Sequence, residues 1–372
     1  MDKQGSIHYL QKDASIRHSE RLRPVLTKTA DTSPTPPNQI IGRWLLIICT
    51  MVFAMVVIGG FTRLTESGLS MTDWHPVTGW LPPLSEAAWQ AQFDAYRTSP
   101  EYNQINAGMS LFEFKEIFWL EYLHRLFGRI IGLAFALPFA VFAIKGWLRG
   151  AEFWWMVGLL VLGGTQGVIG WWMVKSGLID RPDVSQYRLA VHLGMAFVIL
   201  GAVLWSALGK LESPRQQGRT GLRRAATILP LAVLITVLSG ALVAGLNAGK
   251  AYNTFPLMLG EFYPSVGFQL NPWYLNFFED IPTVQFDHRW LAISTFFLAV
   301  VTWRLARLAG GDVAKRGGVV LIAAAVQVLL GIATLLHVVP IPLAVAHQAG
   351  AVILFASALW LRHGIAGSSP DH

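Results

Sequence analysis

Apolar residues are concentrated in eight runs of about 20 residues, which shorter polar stretches separate. At a rise of about 1.5 Å per residue, each run is long enough to cross the ~30 Å hydrocarbon core of a bilayer. The pattern therefore predicts an all-α integral membrane protein with eight transmembrane helices. The predicted spans are 40–61, 122–144, 153–174, 189–208, 226–246, 288–308, 317–336 and 343–361.

Polar segments at both ends and in the middle divide the chain. We expect a disordered cytoplasmic tail over 1–39, because this segment is polar and rich in proline. A cytoplasmic linker over 210–225 and a cytoplasmic tail over 362–372 complete the polar segments. They leave two four-helix halves, 40–209 and 226–361.

Charge and composition agree with a membrane protein. Only 14% of residues are charged, against about 25% in soluble domains. On the predicted topology, 19 of the 29 lysines and arginines lie on the side of the N-terminus and seven on the other side. This bias predicts that both termini are cytoplasmic, and it explains the net charge of +7 without nucleic acid. Mitochondrial transit peptides are poor in acidic residues, whereas this N-terminal segment contains Asp2, Asp13, Glu20 and Asp31. The segment therefore favours a bacterial cell inner membrane over a mitochondrial one.

The two halves carry the same residues in the same helix order. Gly60 pairs with Gly240, His124 with His288, Gln166 with Gln327, and His192 with His347. With four spans per half, both halves have the same orientation, which predicts a parallel repeat of two four-helix bundles.

Four histidines are candidate metal ligands: His124, His192, His288 and His347 each lie near the outer end of an even-numbered span. An ionisable residue within a span is costly and points to function. Two histidines on separate helices of one bundle can supply both axial imidazoles of a haem. Zinc and copper fit less well because they require more clustered ligands, and the single Cys49 excludes a cysteine site. A proton relay is the remaining alternative.

A carboxylate distinguishes the first half. Glu121 lies three residues before His124, on the same helical face, whereas the matching position in the second half is Gln285. The difference predicts proton chemistry in the first half and a redox haem in the second. The alternative is an interfacial ion pair between Glu121 and Arg125.

Three arginines are candidate partners of haem propionates: Arg125, Arg129 and Arg289. The alternative is that they extend toward the membrane interface. The aromatic outer loops, 62–121 and 247–287, form either an interfacial belt or a lid over a ligand site.

Five segments resemble the heme A synthase family, over nearly the whole membrane region. They are GGFTRLTESGLSMTDWHPVTGWLPP (59–83), EYLHRLFGR (121–129), AVHLG (190–194), FDHRW (286–290) and AHQAG (346–350). The first loop is similar to the alphaproteobacterial and mitochondrial branch of the family. The outer loops lack the paired cysteines of another branch, so a thiol role does not carry over.

The resemblance implies an enzyme that oxidises the C8 methyl of haem O to a formyl group, giving haem A for terminal oxidases. It implies a haem O substrate site between His124 and His192, a haem b cofactor between His288 and His347, and a family glutamate at Glu121. Implied partners are haem O synthase, oxidase-assembly proteins and an electron donor that the sequence does not identify, all within the lipid bilayer.

Two other functions use the same residues. A two-haem b-type electron-transfer cytochrome needs the four histidines but no special carboxylate. A transporter, or a non-catalytic partner in oxidase assembly, would use the histidines and arginines to line a pathway or to bind a protein.

Overall fold

A computed structural model describes residues 36–74, 79–178, 182–212 and 216–366. Eight helices in this part of the chain are long and apolar enough to cross a membrane, as the sequence predicts. They are α1 (Pro36–Leu64), α2 (Leu111–Ile144), α3 (Gly150–Gly177), α4 (Gln186–Leu211), α5 (Thr220–Gly245), α6 (Ile281–Ala309), α7 (Gly311–Leu336) and α8 (Ile341–His363). Apolar side chains such as Leu137 and Ile322 point outward, as expected for helices that face lipid.

Two helices begin much earlier than predicted because polar caps start them outside the apolar run. α2 begins at Leu111 rather than 122, since Ser110 and Glu113 form a capping box. α6 begins at Ile281 rather than 288, since the Asp280 carboxylate accepts a hydrogen bond from the Thr283 amide at 3.1 Å. The hydropathy pattern marks where a helix enters lipid and not where it starts.

The predicted polar segments are partly wrong at their borders. Residues 36–39 of the predicted tail 1–39 belong to α1, and residues 1–35 lie outside the described part of the chain. The linker 210–225 contributes its ends to α4 and α5, and the tail 362–372 begins inside α8, with 367–372 outside the described residues. Two short strands, Gln216–Gln217 and Ile365–Ala366, form a parallel pair that joins these two segments.

Helix contacts follow the two predicted halves. In the first half α1 packs against α4 and α2, and α3 contacts α2 and α4; in the second half α5, α6, α7 and α8 pack in sequence and α5 also contacts α8. The halves meet where α4 packs against α5 and where α8 packs against α1 and α4. The repeat itself and the cytoplasmic placement of both termini stay predictions.

A polar cluster ties three helix ends together at the end of the bundle where the strands lie. The Glu212 carboxylate after α4 accepts hydrogen bonds from Arg316 of α7 at 2.9 Å and from Trp360 of α8 at 2.8 Å. Nδ1 of His363 lies 3.2 Å from the same carboxylate. A charge-assisted cluster of this kind fixes helix positions more firmly than one exposed ion pair.

An outer lid over residues 79–110 covers the other end of the first half. Its helices, Glu86–Arg97 and Pro100–Gln104, pack on the first turns of α2. The buried aromatic cluster between them consists of Trp89, Phe93, Tyr96, Phe114, Phe118 and Tyr122. The loop 247–287 has only short helices, Ala248–Lys250, Trp273–Leu275 and Asn276–Glu279. This packing favours the lid over the interfacial belt for the first loop.

The lid buries a carboxyl group that gives it a pH dependence. Glu101 is 2% exposed, and its carboxyl accepts a hydrogen bond from the Tyr96 hydroxyl at 3.0 Å. Burial raises the pKa of Glu101 from 4.5 to about 8, and the nearby Glu121, Glu66 and Asp183 act in the same direction. The folded lid therefore binds a proton that the unfolded chain releases near its ordinary pKa.

We expect the lid to lose stability, by about 1 kcal/mol per pH unit, as the pH rises from about 5 to about 8. Glu101→Gln should remove most of this slope, because the amide stays neutral. Amide hydrogen exchange of the lid in detergent-solubilised protein measures local opening. Glu116→Gln, on the exposed side of α2, is the control. Equal slopes in wild type and Glu101→Gln would contradict the assignment.

Candidate functional site

One cavity of about 1680 Å³ contains every predicted site residue. Helices of both halves line it, and all four candidate histidines reach it, as do Glu121 and the three arginines. Among the described residues, no three histidine, cysteine or acidic side chains are grouped as metal ligands. The histidines occur in pairs, which suits a haem better than a zinc ion.

Each histidine lies against a glycine of the preceding span. A methyl group on Gly59, Gly170, Gly240 or Gly331 would lie only 2.8–3.0 Å from Cε1 of a histidine ring. The pairs, in order, are Gly59 with His124, Gly170 with His192, Gly240 with His288, and Gly331 with His347. Since contacts under 3.0 Å force something to move, only glycine leaves room for the ring at each position.

The second-half histidines have the spacing of two axial ligands. The ring centroids of His288 and His347 are 6.4 Å apart, and their planes are at 88°. Two imidazoles that bind one metal ion from opposite sides, with bonds of about 2 Å, place their centroids about 6 Å apart. The distance between these two ring centroids therefore matches that of two imidazoles on one iron.

Hydrogen bonds hold both of these rings. The Ser239 hydroxyl donates to the carbonyl of Thr236 at 2.7 Å, so it accepts from Nδ1 of His288 at 2.9 Å. Nδ1 of His288 then carries the proton, and Nε2 keeps the lone pair that a metal needs. The amide nitrogen of Gln327 lies 3.2 Å from Nδ1 of His347 and can only donate, so Nδ1 of His347 accepts and Nε2 carries the proton in this arrangement. Metal binding through Nε2 would need the Gln327 amide turned so that its oxygen, which has no hydrogen-bond partner, accepts from Nδ1.

The first-half rings lack this support. Nδ1 of His124 and Nδ1 of His192 are buried with no hydrogen-bond partner. Gln166, which matches Gln327, donates instead to the backbone carbonyl of His192 at 3.0 Å. The first pair has the same glycine contacts as the second pair but no hydrogen bond to Nδ1 of either ring.

Arg125 and Arg289 hold the outer loops to the bundle. Arg125 donates to the carbonyls of Asp73 and Met71 at 2.9 and 3.0 Å. Arg289 donates to the carbonyls of Thr254 and Tyr252 at 2.9 and 2.7 Å. Both the propionate role of these arginines and the alternative of an interfacial position stay predictions. Any contact with a propionate would be an additional role for these two side chains.

Arg129 is placed differently from those two arginines. Its guanidinium carbon lies 5.9 Å from the ring centroid of Trp80 in the lid, and both residues line the cavity. Its counterpart in the second half, Ile293, has no charge. Propionate binding by Arg129 stays a prediction that this position supports.

The carboxylate of Glu121 is held by three donors. One oxygen accepts from the Ser70 hydroxyl at 2.7 Å and from the Met71 amide at 2.8 Å, and the other is paired with Arg125. The predicted ion pair is thus present, and it belongs to the cavity rather than to the membrane surface. In the second half, Gln285 accepts from Arg289 at 2.8 Å and donates to the Ala248 carbonyl at 2.7 Å.

Sequence reasoning missed two features of this site. The repeat was aligned through Gly60 and Gly240, but Gly59 contacts His124 as Gly240 contacts His288. Gly60 and Gly240 are 180 positions apart, whereas Gly59 and Gly240 are 181 positions apart. The loop carbonyls that Arg125 and Arg289 bind, those of Asp73 and Thr254, are also 181 positions apart. The second feature is Ser239, whose hydroxyl lies 2.9 Å from Nδ1 of His288. The signal in the sequence is that Ser239 directly precedes Gly240, the glycine that contacts His288.

Comparison with known proteins identifies the family of this chain. A family model described as cytochrome oxidase assembly protein, COX15-CtaA, matches residues 42–359. A heme A synthase of Nitrosospira multiformis is 51% identical over 329 residues, which cover 87% of this chain and 92% of that protein. A heme A synthase of Rhodospirillum centenum is 52% identical, and the match covers 86% of this chain and 87% of that protein. A heme A synthase of Agrobacterium fabrum is 47% identical, and the match covers 90% of this chain and 92% of that protein. With the family model and these relatives spanning the whole membrane region, the chain belongs to the COX15-CtaA family of cytochrome oxidase assembly proteins.

Proposed function

We propose that this protein is a heme A synthase, which oxidises the C8 methyl of haem O to a formyl group and so makes haem A for terminal oxidases. Relatives of this name match at about half of all aligned positions over most of the chain. The observation that carries the proposal is the asymmetry of two otherwise matching histidine pairs. Glu121 lies on the same helix as His124 of the first pair, whereas the matching position on the helix of His288 is Gln285, and both residues line the cavity.

The second half is the proposed binding site of haem b. His288 and His347 would hold it, because the distance between their rings suits two ligands of one iron and Nδ1 of His288 is held by Ser239. Bound there, haem b would supply electron transfer to and from the site in the first half. Ligands that are held in one orientation suit a group that stays bound through many turnovers.

The first half is the proposed binding site of haem O. His124 and His192 would bind the substrate iron, and Arg129 would pair with a propionate. A substrate must enter and its product must leave, so ligands without a fixed hydrogen bond suit this site better than the other. The lid over residues 79–110 covers the site and limits its contact with water.

Glu121 is the proposed proton acceptor. Oxidation of a methyl group removes hydrogen from carbon, and a proton released in this way needs an acceptor near the substrate. A carboxylate oxygen of Glu121 can take such a proton, and Arg125 and Ser70 hold it in position. Gln285 cannot do this in the second half, because an amide is not a base in water.

The eight apolar helices make this a multi-pass membrane protein. The location that we propose is the bacterial inner membrane, with both termini in the cytoplasm. An electron donor, haem O synthase and oxidase-assembly proteins are the proposed partners.

The proposed activity is tested by co-expressing the protein with a haem O synthase in a host that lacks haem A. Chromatography of the extracted haems should show haem A only when this chain is present. If the folded, haem-loaded protein yields only haems B and O, the electron-transfer cytochrome becomes the better explanation. The same assay without this chain is the control.

Glu121→Gln gives the first half the residue that the second half has at the matching position, Gln285. We expect the production of haem A to fall by about 100-fold or more, while the haem b spectrum is unchanged. The fold should tolerate the change, since Gln285 makes the matching contact with Arg289. Glu116→Gln, which is exposed on the same helix, should keep full activity. Haem A at the wild-type level in Glu121→Gln would exclude Glu121 as the proton acceptor.

His288→Ala should abolish haem b binding, because one of the two proposed axial ligands is lost. Ser239→Ala should keep the ligand but weaken binding by about 10-fold or more, since outer hydrogen bonds orient metal-binding histidines. Haem content per mole of purified protein measures both effects. His337→Ala, an exposed histidine at the end of α7, is the control. Normal haem content in His288→Ala would contradict the assigned site.

A further inference from the structure

We infer that the first half has a groove between α2 and α3 that holds the isoprenoid tail of haem O. The groove is lined by Gly132 of α2 and by Gly163 and Gly167 of α3. This inference rests on the proposed function, because haem O carries a hydroxyethylfarnesyl group that haem B lacks. It adds a binding subsite that selects the tailed haem.

The matching positions in the second half are filled. By the spacing that relates the histidines of α2 and α6, Gly132 corresponds to Phe296. By the spacing that relates Gln166 to Gln327, Gly163 corresponds to Ala324 and Gly167 to Val328. All of these positions line the cavity. The difference between the halves is therefore one of side-chain volume at equivalent places.

The glycines face open space. No atom lies within 4 Å of a methyl group placed on Gly132, Gly163 or Gly167. In the second half, Ala324 is 1% exposed and belongs to the apolar core, and Phe296 packs against that core. The helices differ as well, since α2 and α3 contact each other far less than α6 and α7 do.

The groove is continuous with the histidine site. Gly132 lies two helical turns after His124 on the same face of α2, about 12 Å further from the lid. On α3, Gly163 and Gly167 share a face with Gly170, which contacts His192. A haem bound between the histidines could thus extend an apolar chain from its edge toward the middle of the bilayer.

A buried polar atom points to the root of that chain. Oε1 of Gln166 is buried without a hydrogen-bond partner, and Gln166 lies on the cavity side of α3 between Gly163 and Gly170. Oε1 of the matching Gln327 is also buried without a partner, so this atom offers a hydrogen bond but does not by itself distinguish the two halves. The hydroxyl of the hydroxyethylfarnesyl group can donate to this oxygen. A buried acceptor without a partner is costly, and this substrate would satisfy it.

The test fills the groove with the residues of the second half. A protein with Gly132→Phe and Gly167→Val, its second half loaded with haem b, is titrated with haem O and separately with haem B. Binding is followed by absorbance. We expect the affinity for haem O to fall by at least about tenfold, with the affinity for haem B and the resident haem b content unchanged. Gln166→Leu should shift the same preference in the same direction.

Gly158→Val is the matched control. Gly158 lies on α3 and does not line the cavity, and no atom lies within 4 Å of a methyl group placed on it. Valine is the residue at the matching position of the second half, Val319. It should bind both haems as wild type does. Equal affinity for haem O in the filled variant and wild type, or equal loss of both haems, would overturn the groove. A wild-type protein that binds neither haem would overturn the proposed substrate site as well.

Discussion

The close approach of each histidine ring to a glycine sets the spacing of the bundle. A ring that touches the backbone of the preceding span leaves no room for a side chain there, and all four histidines make this contact. Two neighbouring helices are thereby held at a fixed distance at the level of the haem sites. In a membrane, where lipid is as apolar as the helix surface, small residues at contacts are the main route to close packing.

The two halves use this common frame for different tasks. In the second half Ser239 holds His288, Gln327 lies beside His347, and bulky side chains fill the space between α6 and α7. In the first half the histidine Nδ1 atoms have no partner, and glycines leave space between α2 and α3. The difference follows the contrast between a resident cofactor and a substrate that comes and goes.

The contact between the halves is also built on a glycine. The Gln348 side chain, next to His347 on α8, donates to the Val56 carbonyl of α1 at 2.9 Å and lies against Gly60. The pair Gly59 and Gly60 therefore faces two directions, toward a histidine of its own half and toward α8 of the other. Because one cavity reaches across this contact, the two histidine pairs share one interior.

The sequence by itself determined the eight spans, the paired histidines and the difference between Glu121 and Gln285. These follow from apolar run length and from the high cost of placing ionisable groups in lipid, which depend on composition and order alone. Only the tertiary structure decided that Gly59 rather than Gly60 faces His124, that Ser239 orients His288, and that Arg125 and Arg289 hold loop carbonyls. Those contacts join different helices and loops, and a shift of one residue turns a helical side chain by about 100°. Distances between helices, and therefore the partners of each polar atom, are fixed by packing that no local pattern records.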